Sequence, residues 1–136
     1  MFAGSFTIGE VRKITGATMR QLDYWDAIGF LKPSGGESRR KGWRSYSFED
    51  LVRARAAVRL REEGISLEMI QRIVEKLMEH SGDPLRELKL VTYGRHVYVC
   101  RSKDEAFRAI DGQATYLFMD LEQIEQETKE LVEKAA

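Results

Sequence analysis

Between Phe6 and Tyr46, two short segments each carry their own helix-start signal, a single glycine separates them, and a basic, glycine-rich stretch follows. Thr7 is followed three residues later by Glu10, and Thr18 by Gln21. In such a capping box the hydroxyl accepts from the later residue's backbone N–H, while the later side chain reaches back to the N–H of the cap. Phe6 and Val11 flank the first cap as a hydrophobic staple does. Ile8, Val11 and Ile14 predict a first helix over 8–14, and Met19, Leu22, Trp25 and Ile28 predict a second over 19–28, closed by Gly29. Gly16 stands where the connection must be tight. Two helices joined this way outline a helix-turn-helix, whose second helix commonly lies in a DNA major groove.

Phe30, Leu31 and Pro33 are read as leading out of the core. Residues 34–43 are rich in glycine and serine and carry Arg39, Arg40 and Lys41, so they read as a basic loop. Trp43, Arg44, Ser45 and Tyr46 form a strand-like return, and the whole reads as a β-wing. Ser47 with Asp50 opens a third helix whose stripe is Leu51, Ala54, Val58 and either Arg61 or Leu60, ending at Gly64. Ser66 caps a fourth, with Ile70, Ile73, Val74 and Leu77 on its apolar face. The breakers Ser81 to Pro84 suggest a boundary between a domain over 1–80 and another over 85–136.

Past that boundary the period changes. Leu88, Leu90 and Thr92 alternate, Tyr93, Gly94 and Arg95 turn, and Val97 and Val99 alternate again, which predicts a hairpin. Ser102 with Glu105 opens a helix ending near Gly112, Ala114 to Met119 is a β-prone run, and Asp120 with Gln123 opens a last helix. Leu121, Ile124, Thr128, Leu131 and Ala135 are assigned to one side of that helix, which is about two heptads long and short for an isolated coiled coil. The expected fold class is α+β: a mainly helical winged helix-turn-helix followed by a small α/β domain over 85–136, for dimerisation or for binding an effector.

The charge balance is zero overall but divided. Residues 1–61 hold 12 Lys and Arg against 6 Asp and Glu, whereas residues 62–136 hold 10 against 16. A polyanion-facing first half and an acidic second half are the natural reading. No run of eighteen apolar residues and no secretory signal are evident, and Cys100 is the single cysteine, so a cytoplasmic protein without disulfide or thiol-rich metal site is expected. His80, His96 and Cys100 are too few for a metal site, no catalytic constellation or cofactor motif stands out, and no enzyme activity or cofactor is expected. Tyr93, Tyr98, Tyr116 and Phe118 suit either a core or the lining of a small ligand pocket, with core the commoner outcome.

The stretch from Phe6 to Leu77 resembles the MerR family of bacterial transcription regulators. The resemblance rests on Ile8-Gly9-Glu10-Val11, Thr15-Gly16, Met19 to Asp26, Ile28 to Pro33, Arg44 to Leu51 and Gly64 to Ile70. Gln21-Leu22-Asp23-Tyr24-Trp25, with Leu90 to Gly94 and Val97 to Cys100, is similar to an actinobacterial-type subgroup. The resemblance implies a homodimer, joined here through the C-terminal segment, that binds inverted repeats in promoter double-stranded DNA, with RNA polymerase as a further partner. One departure stands out: the family usually has a phosphate-contacting arginine where this chain has Asp23. A carboxylate at that position either orders Arg20 or a wing arginine, or accepts from a cytosine amino group.

Helical geometry gives the contact set. With Met19, Leu22, Trp25 and Ile28 inward, Ala17, Arg20, Gln21 and Tyr24 are expected to point outward. Arg20 suits guanine and Gln21 adenine, Thr18 and Tyr24 suit phosphates, and Arg39, Arg40, Lys41 and Arg44 suit phosphates or a minor groove. Trp43 either anchors the wing or wedges on the backbone, and Tyr46 is either core or a phosphate contact. The rival classes are an architectural, excisionase-like DNA protein, an adaptor using the winged fold to hold a protein, and a ligand-gated sensor.

Overall fold

A strand too short to announce itself opens the chain. Phe6–Thr7 (β1) pairs antiparallel with Ser45–Tyr46 (β2), Phe6 opposite Tyr46 and Thr7 opposite Ser45. The strand leads directly into helix α1, Ile8–Thr15, and β2 precedes helix α3, Phe48–Glu62. Between them lies α2, Met19–Ile28. Sequence periodicity gives no sign of β1, because two residues are too few to show a period of two. A computed structural model describes residues 5–34 and 44–135.

The expected caps form. Thr7 and Glu10, and Thr18 and Gln21, satisfy each other reciprocally, as do Ser47 and Asp50, whose two bonds measure 2.8 and 3.1 Å. The turn between α1 and α2 is fixed by Thr15. Its hydroxyl donates to Val11 O at 2.7 Å and accepts from the Ala17 N–H at 3.1 Å. Gly16 has φ 82°, in the left-handed region. There the backbone N–H reaches Arg12 O at 3.0 Å, closing α1.

Two residue groups depart from expectation. Ala17 is buried, with only 4% of its surface exposed. It precedes the Thr18 cap, so helical spacing does not govern where it points. Phe30, Leu31 and Pro33 are buried rather than leading outward. Leu31 N–H donates to Trp25 O at 3.2 Å, which folds the chain back over the end of α2 and sets Phe30 edge-on to Trp25 with ring centroids 6.1 Å apart. Met19 and Ile28 are half-buried, leaving Leu22 and Trp25 as the buried anchors of α2.

The chain packs as two compact units: one comprises the residues up to Arg59 with those from Glu127 onward, the other Leu60–Gln126. In the first, Glu127 of the last helix, α6 (Leu121–Ala135), accepts from Arg55 and Arg59 of α3, each at 3.1 Å. Arg55 also donates to Thr15 O at 3.1 Å. One carboxylate thus holds the arginine that holds the α1–α2 turn.

In the second unit, Ser66 caps α4, Leu67–Met78, which buries Ile70, Ile73, Val74 and Leu77 as its spacing predicts. A 3-10 turn, Leu85–Glu87, leads to a three-stranded antiparallel sheet of β3 (Lys89–Tyr93), β4 (His96–Cys100) and β5 (Leu117–Asp120), ordered β4-β3-β5. The hairpin loop is Gly94-Arg95, tighter than the sequence suggests, with Tyr93 paired to His96. Gly94 has φ 56°, matching a two-residue loop that asks for glycine at its first position. Helix α5, Lys103–Ala109, packs on β3 and β4, and Ala106 and Ile110 bury against Val91 and Cys100. Burial pushes the Cys100 thiol up, and the charge of Glu105 adds to it.

Lys89 and Asp120 sit opposite each other across β3 and β5 and form a buried ion pair at 3.4 Å. Asp120 caps α6 as its position predicts, but accepts from the Glu122 N–H, at 3.1 Å, and not from that of Gln123. On α6 the buried residues are Leu121, Ile124, Thr128 and Val132, while Leu131 is half-buried and Ala135 exposed. Helical spacing from Ile124 favours Leu131 over Val132, so the burial of Val132 is set by packing and not by the period of the helix. Tyr93 and Phe118 pack partly on the α5 core, whereas Tyr98 and Tyr116 remain exposed.

Gly16→Ala is expected to lower stability by about 1–2 kcal/mol, because an L residue in the left-handed region bears that cost. The Cβ itself meets Val58 at an ordinary 3.5 Å, so strain rather than collision is responsible. Denaturant unfolding measures it; an unchanged midpoint would show that the turn relaxes freely.

Candidate nucleic-acid interface

At the start of α2, Thr18 and Gln21 are held in place by the helix cap that they form. Gln21 N–H donates to the Thr18 hydroxyl at 3.1 Å, and Thr18 N–H donates to the Gln21 side-chain oxygen at 2.9 Å. Gln21 is therefore half-buried, with its carbonyl oxygen engaged and its amide NH2 left to donate outward. A two-bond contact with adenine requires that oxygen to be shared with the cap. The Thr18 hydroxyl, exposed, keeps its proton for a phosphate oxygen.

Arg20 and Tyr24, one turn apart, are both exposed, Tyr24 at 43%. An exposed arginine and tyrosine at that spacing lie on one face of the helix. Behind them, Leu22 and Trp25 fix the rotation of α2 by burial. At the N-terminus of a helix the free N–H groups also favour an anion.

Asp23 and Asp26 flank the Arg20–Tyr24 face, again one turn apart. The Arg44 guanidinium is turned onto them: Nη1 donates to Asp23 Oδ1 at 2.9 Å, and Nη2 lies 3.8 Å from Asp26 Oδ2. Only 14% of the Arg44 side chain is exposed. Burial pulls its pKa down, but the hydrogen bond to Asp23 and the neighbouring Tyr46 and Asp23 more than offset this, and it ends above its usual value. Lys32 reaches Asp26 as well, at 3.6 Å. Among the alternatives open for Asp23, the geometry selects the ordering of an arginine at the root of the wing.

Tyr46 is 1% exposed and belongs to the core. Burial pushes its phenol up, with Arg44 pulling the other way. Ser34 and Ser45 bond reciprocally, at 2.7 and 3.1 Å, and close the base of the wing. Arg39, Arg40, Lys41 and Trp43 lie outside the described residues. Of the sequence-derived set, the structure therefore brings Thr18, Arg20, Gln21 and Tyr24 together on the start of α2, and places Arg44 and Tyr46 at strand β2, beside the Ser34–Ser45 bonds.

Two features escape sequence reading. Asp26 joins Asp23 in holding Arg44; their spacing along α2 was the available signal. Glu127 pairs with Arg55 and Arg59 across a separation of 72 and 68 residues, for which no local pattern exists. Among the described residues, no group of three or more His, Cys, Asp or Glu is placed to hold a metal ion, and no helix is long and apolar enough to cross a membrane.

Comparison with known proteins places residues 6–77 within the MerR helix-turn-helix family of regulatory proteins. An uncharacterized helix-turn-helix transcriptional regulator of Mycobacterium tuberculosis is 35% identical over 101 residues, covering 74% of this chain and 45% of that protein. The transcriptional activator TipA of Streptomyces coelicolor is 33% identical over 85 residues, covering 62% of this chain and 32% of its own. The chain thus spans less than half the length of these relatives.

Thr18→Ala removes the hydroxyl that caps α2 and is expected to cost about 1 kcal/mol of stability. Thr18→Ser, which keeps the oxygen, should recover most of it. Equal losses for both variants in chemical unfolding would show that the cap bond contributes nothing.

Proposed function

The chain belongs to the MerR family of helix-turn-helix regulatory proteins, and on that premise we propose that it is a cytoplasmic transcription regulator that binds specific double-stranded DNA. The observation that carries the reading is the α2 surface: Arg20 and Tyr24 exposed together, Thr18 and Gln21 at a capped N-terminus, and the buried Leu22 and Trp25 fixing the helix rotation. Arg20 reads a base edge, with guanine the best match for its two parallel donors. Gln21 donates to a second base, and Thr18 and Tyr24 grip phosphates. Arg39, Arg40, Lys41 and Trp43 supply the wing contact to the backbone or minor groove.

The protein acts as a homodimer on inverted repeats, with the segment over 85–136 providing assembly and the segment over 1–80 reading DNA. This functional division is separate from the packing of the chain, in which the end of α6 belongs with the first unit. RNA polymerase is the partner expected at a promoter. The excess of basic residues over 1–61 favours DNA over the adaptor alternative, since a protein-holding surface needs no such imbalance. Selection of preferred duplexes from a random pool tests binding, symmetry and half-site spacing at once; failure to enrich any sequence overturns the reading.

Arg20→Ala is expected to cost about 1–3 kcal/mol of DNA affinity and to relax preference at one base position. An unchanged footprint would remove Arg20 from the reading set. Replacing Arg39, Arg40 and Lys41 by Gln should instead weaken all duplexes alike and flatten the log–log salt slope by ~0.9 for each phosphate no longer neutralised. A sequence-selective loss in the titration would contradict a backbone role.

A further inference from the structure

We propose that Asp23 and Asp26 are positioning residues that hold strand β2 to helix α2 through Arg44, so that the strand following the basic loop keeps a fixed orientation to the DNA-reading helix. The inference rests on the DNA-binding reading and deepens it. It assigns Arg44, a basic residue next to a basic loop, to the protein rather than to a phosphate.

The geometry supports this in three ways. Arg44 immediately precedes β2, so whatever fixes its side chain fixes the strand at the root of the wing. Its two terminal nitrogens address two carboxylates one helical turn apart, a span that a planar guanidinium covers and a single ammonium does not. The side chain is largely shielded, so presenting it to a phosphate would require breaking a charge-assisted bond of 2.9 Å. Tyr46 beneath it is buried, and the Ser34–Ser45 bonds close the same base. Two acidic groups beside a DNA-reading face would otherwise repel phosphates; paired with Arg44 and Lys32, they face a compensating charge.

A strand free to swing gives up orientational freedom on binding DNA, whereas β2 already held to α2 through Arg44 gives up less. The anchor therefore contributes to affinity without touching DNA. This separates it from the phosphate contacts assigned to the wing tip, each of which leaves a mark on the salt slope.

The test is a double-mutant cycle in the full chain, with Asp23→Asn, Arg44→Gln and the pair, titrated against the duplex preferred by the wild type over a salt series. Each single variant should lower affinity about tenfold, the pair should be no weaker than either alone, and all three should keep the wild-type salt slope. Arg44→Lys should not rescue, since it keeps the charge and gives up the span. Amide exchange in the free protein gives a readout that needs no DNA: protection of the Ser45 N–H, bonded to Ser34 O, should fall in both single variants while protection along α4 is retained, which also shows that the variants fold. Additive losses, or a slope flattened by ~0.9 in Arg44→Gln alone, would make Arg44 a phosphate contact and overturn the proposal. Unchanged Ser45 protection overturns it as well. A wild-type protein that binds no duplex sinks the DNA reading instead, leaving the exchange result to decide whether the anchor exists.

Discussion

Helix α2 begins where it does because the Thr15–Gly16 turn has little freedom left. The Thr15 hydroxyl ties α1 to Ala17, its carbonyl is held by Arg55, and Gly16 supplies the left-handed residue that lets the next cap start at once. A loop in that place would let α2 swing, whereas a fixed turn holds the exposed side chains of α2 in one place. Burial of Leu22 and Trp25 then fixes the rotation, and Phe30 and Leu31 fold over the far end. Direction, rotation and length of α2 are each decided by a different contact.

That turn is not held by its own helices alone. Arg55 is itself bound by Glu127, which also takes Arg59. With Arg55 15% exposed and Glu127 29%, the pair is shielded enough for charge to matter more than at an open surface. The end of the last helix is thereby part of the unit that presents α2.

Charge is arranged by the same logic on the other side of α2. The segment over 1–61 is basic in sum, yet not every cation in it is aimed outward. Arg44 is turned inward onto Asp23 and Asp26, while Arg20 stays exposed. In the second unit, Lys89 and Asp120 are likewise paired in a buried position, where the carboxylate also caps α6. A count of basic residues therefore overstates the cations available to a polyanion.

Local chemistry was sufficient for much of this molecule. The capping pairs at Thr7, Thr18 and Ser47, the helical spacing of Ile8, Val11 and Ile14, and the bounds of α2 follow from contacts within four residues, which any stretch of sequence displays. The motifs from Phe6 to Leu77 carried the family as well. What the sequence could not decide depends on residues far apart along the chain. Strand β1 exists only because Tyr46 lies opposite Phe6, Ala17 is buried although spacing turned it outward, and Arg44 faces two carboxylates 21 and 18 positions away rather than solvent. Periodicity reports which way a side chain leaves its own helix; whether a neighbour, a counter-charge or water meets it there is fixed only when distant segments pack.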